Sequence, residues 1–273
     1  MEEDYEKGEL IGRGVHSEIL YWGEGKVVKL YNPGFEQKWI TLELEGTKAV
    51  SEILDLAPKT YGLVEYNGRT GLLLDFIEGE PLGFNYNMDK GNPEKYTSLM
   101  AEMQVKINGT CCDGLELGSY LDLCKGVFQN GYGAVKPDKL TEDFVKRILD
   151  YIDTLPDDDA LVHGDFTMDN VIMAEDGPKI IDWAFPSLGH PAIDSAKLVN
   201  DLRFKQARDE RFPLEVTDPP FIELYLKHLQ KFQNVPREIV DKYIPLHCVP
   251  YLMVIGEAPA REWLISQVEK YIK

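Results

Sequence analysis

Residues 161–173 read LVHGDFTMDNVIM and residues 179–185 read KIIDWAF, and these two stretches are the most informative part of the sequence. Each has a polar segment set against apolar residues that are typical of short buried strands. Asp165 and Asn170 lie five residues apart, so a turn can bring both side chains to one face of the loop. Asp182, placed by the pattern at the end of the following strand, can reach the same point across a hairpin. Carboxylate and amide oxygens converging in this way suit Mg²⁺, which completes its shell with phosphate oxygens and water.

The composition describes an acidic globular chain. It has 273 residues, of which 44% are hydrophobic, enough to form a core for one large domain or two lobes. Lys and Arg number 29 against 47 Asp and Glu, a net charge of −18. Because a nucleic-acid or anionic-lipid surface needs a surplus of basic residues, these two classes of partner are not expected. The acidity is compatible with a cationic ligand, although most surplus carboxylates are ordinary solvated surface.

Cysteine usage and hydropathy favour a cytoplasmic protein. The four cysteines fit no zinc or redox spacing, and they are too few for a disulfide scaffold. The first ten residues, MEEDYEKGEL, lack the basic and apolar regions of a signal peptide. The longest apolar run, near residues 246–256, is too short to cross a membrane and contains Pro250.

The first 77 residues have the pattern β-β-β-α-β-β. Three strands precede a breaker, Asn32-Pro33-Gly34, and a helix is predicted over 35–56. Two further strands, Tyr61–Tyr66 and Leu72–Ile77, flank a turn of the kind that closes hairpins. Residues 78–82 (EGEPL) are interpreted as a connector.

The remainder of the chain is predicted to be mainly helical. Helices are expected over 93–108, 115–129, 139–154, 192–209, 220–232, 236–254 and 257–272. Short strands are expected at Ala160–Val162, Val171–Ala174 and Lys179–Asp182.

The combined form HGD-x₄-N followed by IDW resembles the aminoglycoside phosphotransferase family, which includes choline-kinase-like and other small-molecule kinases. The resemblance implies a bilobal, protein-kinase-like α+β fold, with an antiparallel-sheet N-lobe carrying one helix and a mainly helical C-lobe. It implies an N-terminal nucleotide-binding lobe over 1–77, a linker over 78–82 and a helical lobe with the catalytic loop and substrate pocket over 83–273.

The same resemblance assigns roles to the polar residues. Asp165 becomes the catalytic base that takes the proton of a substrate hydroxyl. Asn170 and Asp182 become the ligands of Mg²⁺ on the β- and γ-phosphates. His163 and Asp194 become structural residues that hold the loop by hydrogen bonds.

The N-terminal lobe is implied to bind the nucleotide. Lys29, in the third strand, is implied to contact the α- and β-phosphates, with Glu43 on the following helix as its partner. Glu45 is the second choice for that partner, and Glu36 is disfavoured.

Other parts of that lobe are weaker indicators. Gly12, Gly14 and Ser17 lie in the turn that should cover the phosphates, with Ser17 replacing the third glycine of the kinase pattern. Phe76 and Ile77 are placed where kinases bind the base through backbone groups.

The implied activity is transfer of the γ-phosphoryl group of ATP or GTP to a hydroxyl of a small molecule. The acceptor could be an aminoglycoside-like antibiotic, an amino alcohol or a sugar. An antibiotic acceptor would make the protein a resistance enzyme, and a metabolite acceptor would make it a metabolic kinase. If the acceptor is cationic, carboxylates of the C-terminal helices could bind it; the candidates are Asp201, Glu257 and Glu262.

Two alternatives remain open. The first is a catalytically silent nucleotide-binding module. The second, which is less favoured, is a protein Ser/Thr kinase, since the loop reads HGD and little room for an activation loop follows Asp182.

Overall fold

The computed structural model describes residues 5–89, 92–133, 135–207, 220–256 and 259–272. Its N-terminal part is a five-stranded antiparallel sheet and one long helix. The elements are β1 (Leu10–Arg13), β2 (Ser17–Gly23), β3 (Lys26–Tyr31), α1 (Gln37–Ile53), β4 (Thr60–Tyr66) and β5 (Arg69–Asp75). The strand order is β1-β2-β3-β5-β4, so β3 lies at the centre of the sheet.

The hairpins of this sheet follow from local turn chemistry. Asn67 and Gly68 both have positive φ, 51° and 71°, as a tight β4–β5 turn requires. Glu24 and Gly25 do the same between β2 and β3, at 52° and 67°. The β2–β3 turn fixes the register in which Lys29 of β3 lies opposite Ile19 of β2.

The C-terminal part is mainly helical among the described residues. Its helices are α2 (Leu82–Met88), α3 (Pro93–Asn108), α4 (Tyr120–Asn130), α5 (Glu142–Ile152), α6 (Ala192–Ala207), α7 (Pro220–Leu229), α8 (Arg237–Val254) and α9 (Ala260–Glu269). Its strands are β6 (Glu80–Pro81), β7 (Ala160–Val162), β8 (Val171–Ala174), β9 (Gly177–Ile180) and β10 (Ser187–Gly189).

Capping explains where several of these helices begin. The Asn92 side chain accepts a hydrogen bond from the Lys95 N–H, and Pro93 opens α3. Thr141 caps α5 in the same way, accepting from the Phe144 N–H at 3.2 Å. The apolar faces of the helices then form one large core with the end of α1, which ties the two parts of the molecule together.

Most predicted elements are present, with small changes at their ends. The strands β6 and β10 and the helix α2 were not predicted, and β6 with the start of α2 occupies part of the expected connector. β6 pairs with β8, and β10 pairs with β7, so each depends on a partner distant in sequence. The prediction that a strand runs to Asp182 is wrong: β9 ends at Ile180, and Asp182 follows with φ 64°.

Within the described part of the chain, no helix combines the length and hydropathy needed to span a lipid bilayer.

Candidate active site

Lys29 is held between two carboxylates at the centre of the N-terminal sheet. Its Nζ lies 2.6 Å from Glu43 Oε1 and 2.6 Å from Asp182 Oδ1. Glu43 reaches it because Ile40, Glu43, Thr47 and Val50 share the buried face of α1 at helical spacing. The partner of Lys29 on this helix is therefore Glu43.

The surroundings keep Lys29 charged. Only 12% of its side chain and 3% of that of Glu43 are exposed. Burial alone would lower the pKa of Lys29, but the charges of Asp182 and Glu43 outweigh burial and raise it well above its ordinary value. Glu43 also accepts a hydrogen bond from the Tyr31 hydroxyl at 2.9 Å, which fixes its second oxygen. The result is a rigid cation facing the space between the two lobes.

The loop after β7 is braced from beneath by two buried polar side chains. The His163 ring accepts a hydrogen bond from the Asp165 N–H at Nδ1, and its Nε2 donates to the Ile181 carbonyl at 3.0 Å. Asp194, at the start of α6, accepts from the N–H groups of His163 and Gly164 at 3.0 and 2.9 Å. Both residues therefore hold the loop, as the sequence predicts for them.

Asp165 projects from this loop, and each of its carboxylate oxygens contacts a polar side chain. Its Oδ2 accepts from Asn170 Nδ2 at 3.1 Å, and its Oδ1 lies 2.7 Å from Lys197 Nζ. About a third of the side chain, 32%, stays exposed. Burial raises the pKa of Asp165, but the charge of Lys197 and its hydrogen bonds more than offset this, so the net shift is downward. The carboxylate is ionised at neutral pH.

Lys197 is the residue that sequence reasoning missed. It lies on α6, three residues after Asp194, with 13% of its side chain exposed. Its Nζ also donates to the Tyr251 hydroxyl of α8 at 3.3 Å. Its neighbours Ser195, Ala196, Leu198 and Val199 are all buried, but this run of sequence has no motif that would single out the lysine.

The glycine turn is only partly as predicted. Gly12 lies inside β1, and a Cβ there would make ordinary contact with Ile19. The turn itself is Gly14 to His16, closed by a hydrogen bond from the Gly14 N–H to the Ser17 carbonyl at 2.9 Å. A Cβ on Gly14 would lie 3.4 Å from Ser17 Oγ, a contact the turn could accommodate.

A single cavity of about 480 Å³ gathers the main candidates. It is lined by Gly14, Ser17, Lys29, Asp165 and Asp182. Glu43 and Asn170 lie behind this surface and bond to Lys29 and Asp165 respectively.

Phe76 and Ile77 line a different cavity, of about 800 Å³, between the end of β5 and the β8–β9 turn. The Phe76 N–H donates to the Gly25 carbonyl at 2.8 Å. The structure therefore does not bring these two positions to the cavity that holds Lys29.

The carboxylates considered for a cationic acceptor lie elsewhere. Asp201 has 13% of its side chain exposed, and its Oδ2 lies 3.0 Å from Lys205 Nζ. Glu262 is exposed on α9 and does not line the cavity. Glu257 lies outside the described residues.

Asp182 and Asn170 offer the donor chemistry that Mg²⁺ prefers. The described residues contain no group of three or more His, Cys, Asp or Glu side chains suited to a metal. A metal held by this pair would therefore rely on phosphate oxygens and water for its other ligands, which is typical of Mg²⁺. Asp182 is 39% exposed and is held in the left-handed region of backbone space, a strain often found at functional positions. The donor chemistry of these two side chains, one carboxylate and one amide oxygen, fits the ion.

Comparison with solved structures identifies the fold as protein-kinase-like, with two lobes, which confirms the predicted class. The chain is similar to an aminoglycoside-3'-phosphotransferase of type VIII, with a TM-score of 0.62 and 15% identity over 92% of this chain and 93% of that one. It is similar to an aminoglycoside phosphotransferase from Streptomyces rimosus in complex with ADP and streptomycin, with a TM-score of 0.60 and 15% identity over 92% and 94%. It is also similar to a choline/ethanolamine kinase family protein from Mesorhizobium loti, with a TM-score of 0.55 and 14% identity over 96% of this chain and 85% of that one.

The family itself is shown by sequence. No curated protein matches the chain significantly. The profile of the phosphotransferase enzyme family, in contrast, matches residues 9–217, which include both the glycine turn and the HGD loop. The chain belongs to the phosphotransferase enzyme family.

Proposed function

We propose that this protein is a small-molecule kinase that transfers the γ-phosphoryl group of ATP or GTP to an acceptor hydroxyl. The observation that carries the proposal is the shared cavity, in which the cation Lys29 and the carboxylate Asp182 face the carboxylate Asp165. A phosphoryl transfer site needs both parts, a charged cradle for the phosphates and a group that takes the acceptor proton.

The N-terminal side of the cavity supplies the cradle. Lys29 neutralises phosphate oxygens, and Glu43 keeps its ammonium group aimed into the cavity. Asp182 and Asn170 would hold Mg²⁺, which supplies positive charge that draws electron density from the transferring phosphoryl group. Gly14 and Ser17 shape the turn over this end of the cavity.

Asp165 acts on the acceptor. Its carboxylate, ionised through Lys197, accepts the proton of the acceptor hydroxyl while that oxygen bonds to the γ-phosphorus. The bond between the γ-phosphorus and the β–γ bridging oxygen breaks, and the nucleoside diphosphate leaves with that oxygen. Asn170 fixes the rotation of the carboxylate by donating to Oδ2 and to the Asp165 carbonyl.

One contact favours a second candidate, the catalytically silent nucleotide-binding module. Lys197 lies 2.7 Å from Asp165 Oδ1, and Asn170 bonds to the other oxygen. An acceptor hydroxyl must therefore share an oxygen with one of them. If the ion pair never admits a third group, the protein binds nucleotide and does not transfer phosphate.

A transfer assay separates the two candidates. Protein, Mg²⁺ and γ-labelled ATP or GTP are incubated with a metabolite extract and with a panel of aminoglycosides, amino alcohols and sugars. The proposal predicts a labelled acceptor product, lost in Asp182→Asn and kept in the matched control Asp176→Asn, an exposed residue of the β8–β9 turn. Mg²⁺-nucleotide binding without any labelled product would instead support the silent module.

A further inference from the structure

The acceptor end of the cavity has an apolar wall. It is formed by α4 and α8, whose contributions include Leu123, Val127, Leu246, Pro250 and Val254. Apart from Asp165 and Asp182, no Asp or Glu among the described residues lines this cavity. A bound molecule would therefore gain affinity mainly by removing apolar surface from water.

The charges next to the reactive carboxylate are already balanced. Lys197 and Asp165 form an ion pair with Nζ 2.7 Å from Oδ1, and Lys29 is paired with Glu43 and Asp182. A cationic acceptor would bring its charge close to Lys197, and an anionic acceptor would bring it close to Asp165. In a site of low polarity, either encounter disfavours binding.

The aromatic ring that shares Lys197 with Asp165 is already in contact with a cation. Aromatic rings can bind ammonium groups, and several line this cavity: Tyr31, Tyr120, Phe128, Tyr132, Phe185, Phe204 and Tyr251. Tyr251 is the ring that shares Lys197 with Asp165. Its face already carries the Lys197 ammonium, 5.2 Å from the ring centroid. The Asp201 carboxylate is paired with Lys205 and is not part of the cavity lining.

We infer that the acceptor is an uncharged alcohol whose hydroxyl is carried by an apolar body, and not an ammonium compound. This inference rests on the proposed function, because it concerns the acceptor of the same site. The net negative charge of the chain is compatible with a cationic ligand, but among the described residues only two carboxylates, Asp165 and Asp182, line this cavity. Lys197 is the specificity-determining residue: its charge completes the pair with Asp165 and excludes a second cation.

Matched alcohols that differ only in charge test the inference. Two pairs are suitable: 3,3-dimethylbutan-1-ol with choline, and 4-tert-butylcyclohexanol with 4-hydroxy-N,N,N-trimethylcyclohexanaminium, with gentamicin as a polycationic reference. Binding of each to the full chain is measured by calorimetry, with and without Mg²⁺-ADP. We expect each tert-butyl alcohol to bind at least about tenfold more tightly than its ammonium partner. Equal or tighter binding of the ammonium partner, or no binding of either alcohol up to about 10 mM, would overturn the inference.

The variant Lys197→Met tests whether the Lys197 side chain causes the preference for a neutral alcohol over its ammonium partner. We expect the preference for the neutral partner of each pair to shrink or reverse in this variant. It should persist in Lys227→Met, which changes an exposed lysine of α7. If Lys197→Met folds with an unchanged preference, Lys197 does not determine specificity; if it does not fold, the wild-type comparison still decides the acceptor class.

The two proposals fail in different ways. A protein that binds neither ATP nor GTP and gives no labelled product contradicts the kinase function, while the matched-pair binding contrast can still be measured. A protein that phosphorylates choline or gentamicin in preference to the neutral alcohols contradicts the acceptor class and supports the kinase function.

Discussion

Two lysines with little exposure lie on opposite sides of the cavity, and only one of them could be found from the sequence. Lys29 is 12% exposed and contacts Glu43 and Asp182, whereas Lys197 is 13% exposed and contacts Asp165. Lys29 belongs to a strand that follows a glycine turn, a local pattern with a known meaning. Lys197 lies in a helix without a motif, and only the packing of α6 against the loop brings it to Asp165. Residues proposed to set the acceptor are therefore harder to recognise than residues proposed to bind the nucleotide.

The two lysines also differ in how firmly they are held. Lys29 has a nearly buried partner, Glu43, so its position does not depend on a ligand. Lys197 shares Asp165 with the cavity, where a third of the carboxylate is exposed. We interpret the nucleotide side as preorganised and the acceptor side as the part that must adjust when substrate binds.

The largest expected effect is that of Lys29→Met. This change leaves Glu43 buried without its cation, and breaking a buried pair in this way costs about 3–5 kcal/mol of folding free energy. We also expect ADP to bind at least about tenfold more weakly, because the phosphates lose their cation. Denaturant unfolding and calorimetry measure the two effects. Lys26→Met, on the same strand but 25% exposed, is the matched control and should change neither strongly.

Gly164→Ala tests the loop that separates the two lysines. Gly164 has φ 78°, and a Cβ there would lie 2.9 Å from both the Phe185 carbonyl and the Tyr120 ring. We expect the Gly164→Ala protein to be less stable than the Gly177→Ala protein. Gly177 has φ 118°, but a Cβ there would have no atom within 4 Å. The control carries only the backbone strain, of order 1–3 kcal/mol. Equal unfolding free energies for the two variants would show that the close contacts at Gly164 have no cost.

Asp165 should titrate differently once Lys197 is removed. The charge of Lys197 lowers the pKa of Asp165 against the opposing effect of burial. In Lys197→Met only burial and the weaker contacts remain, so the pKa should rise. In the wild type, where the folded pKa is depressed, ionised Asp165 contributes stability that is lost as the pH falls through that pKa; in Lys197→Met this contribution shrinks. Carbon NMR of the Asp165 carboxyl group measures this shift, and a midpoint that stays in place or falls would contradict the account.

The smallest effect is expected at an exposed ion pair. Lys136 lies 2.7 Å from Glu36 across the two lobes, and hydrogen bonds from Lys136 and Lys38 lower the pKa of Glu36 to about 2. Lys136 is exposed and Glu36 is partly exposed, so water competes with the pair. Lys136→Met should leave the thermal unfolding midpoint within error of the wild type. A large shift would mean that contact between the lobes, and not the buried lysines, dominates stability.

The sequence predicted the fold well because the decisive signals are local. The alternation in β3 places Lys29 and Tyr31 on the face that meets α1, and the Asn67-Gly68 turn specifies the β4–β5 hairpin. The strand β10 could not be found in this way, because its pairing with β7 is long-range. The backbone conformation of Asp182 could not be predicted for a related reason, since a positive φ in a residue other than glycine has no clear sequence signature.

The residues of the candidate site also separate into those that local sequence predicts and those that only the three-dimensional structure shows. The Lys29–Glu43 pair could be chosen from strand order and helix face, and the HGD loop from its motif. The acceptor wall could not, because α4 and α8 contribute ordinary apolar residues whose meaning depends on the space they enclose. Lys197, and with it the charge balance at Asp165, became recognisable only in three dimensions.

The most direct test of the central claim is the rate of phosphoryl transfer in Asp165→Asn. This change keeps the shape of the side chain and removes its ability to take a proton. We predict that transfer to the acceptor found in the labelled-nucleotide assay falls at least about a hundredfold, while ADP affinity stays within about twofold. Asp169→Asn, in the same loop but 61% exposed, should transfer normally. Transfer at the wild-type rate by Asp165→Asn would contradict the assignment of Asp165 as the base.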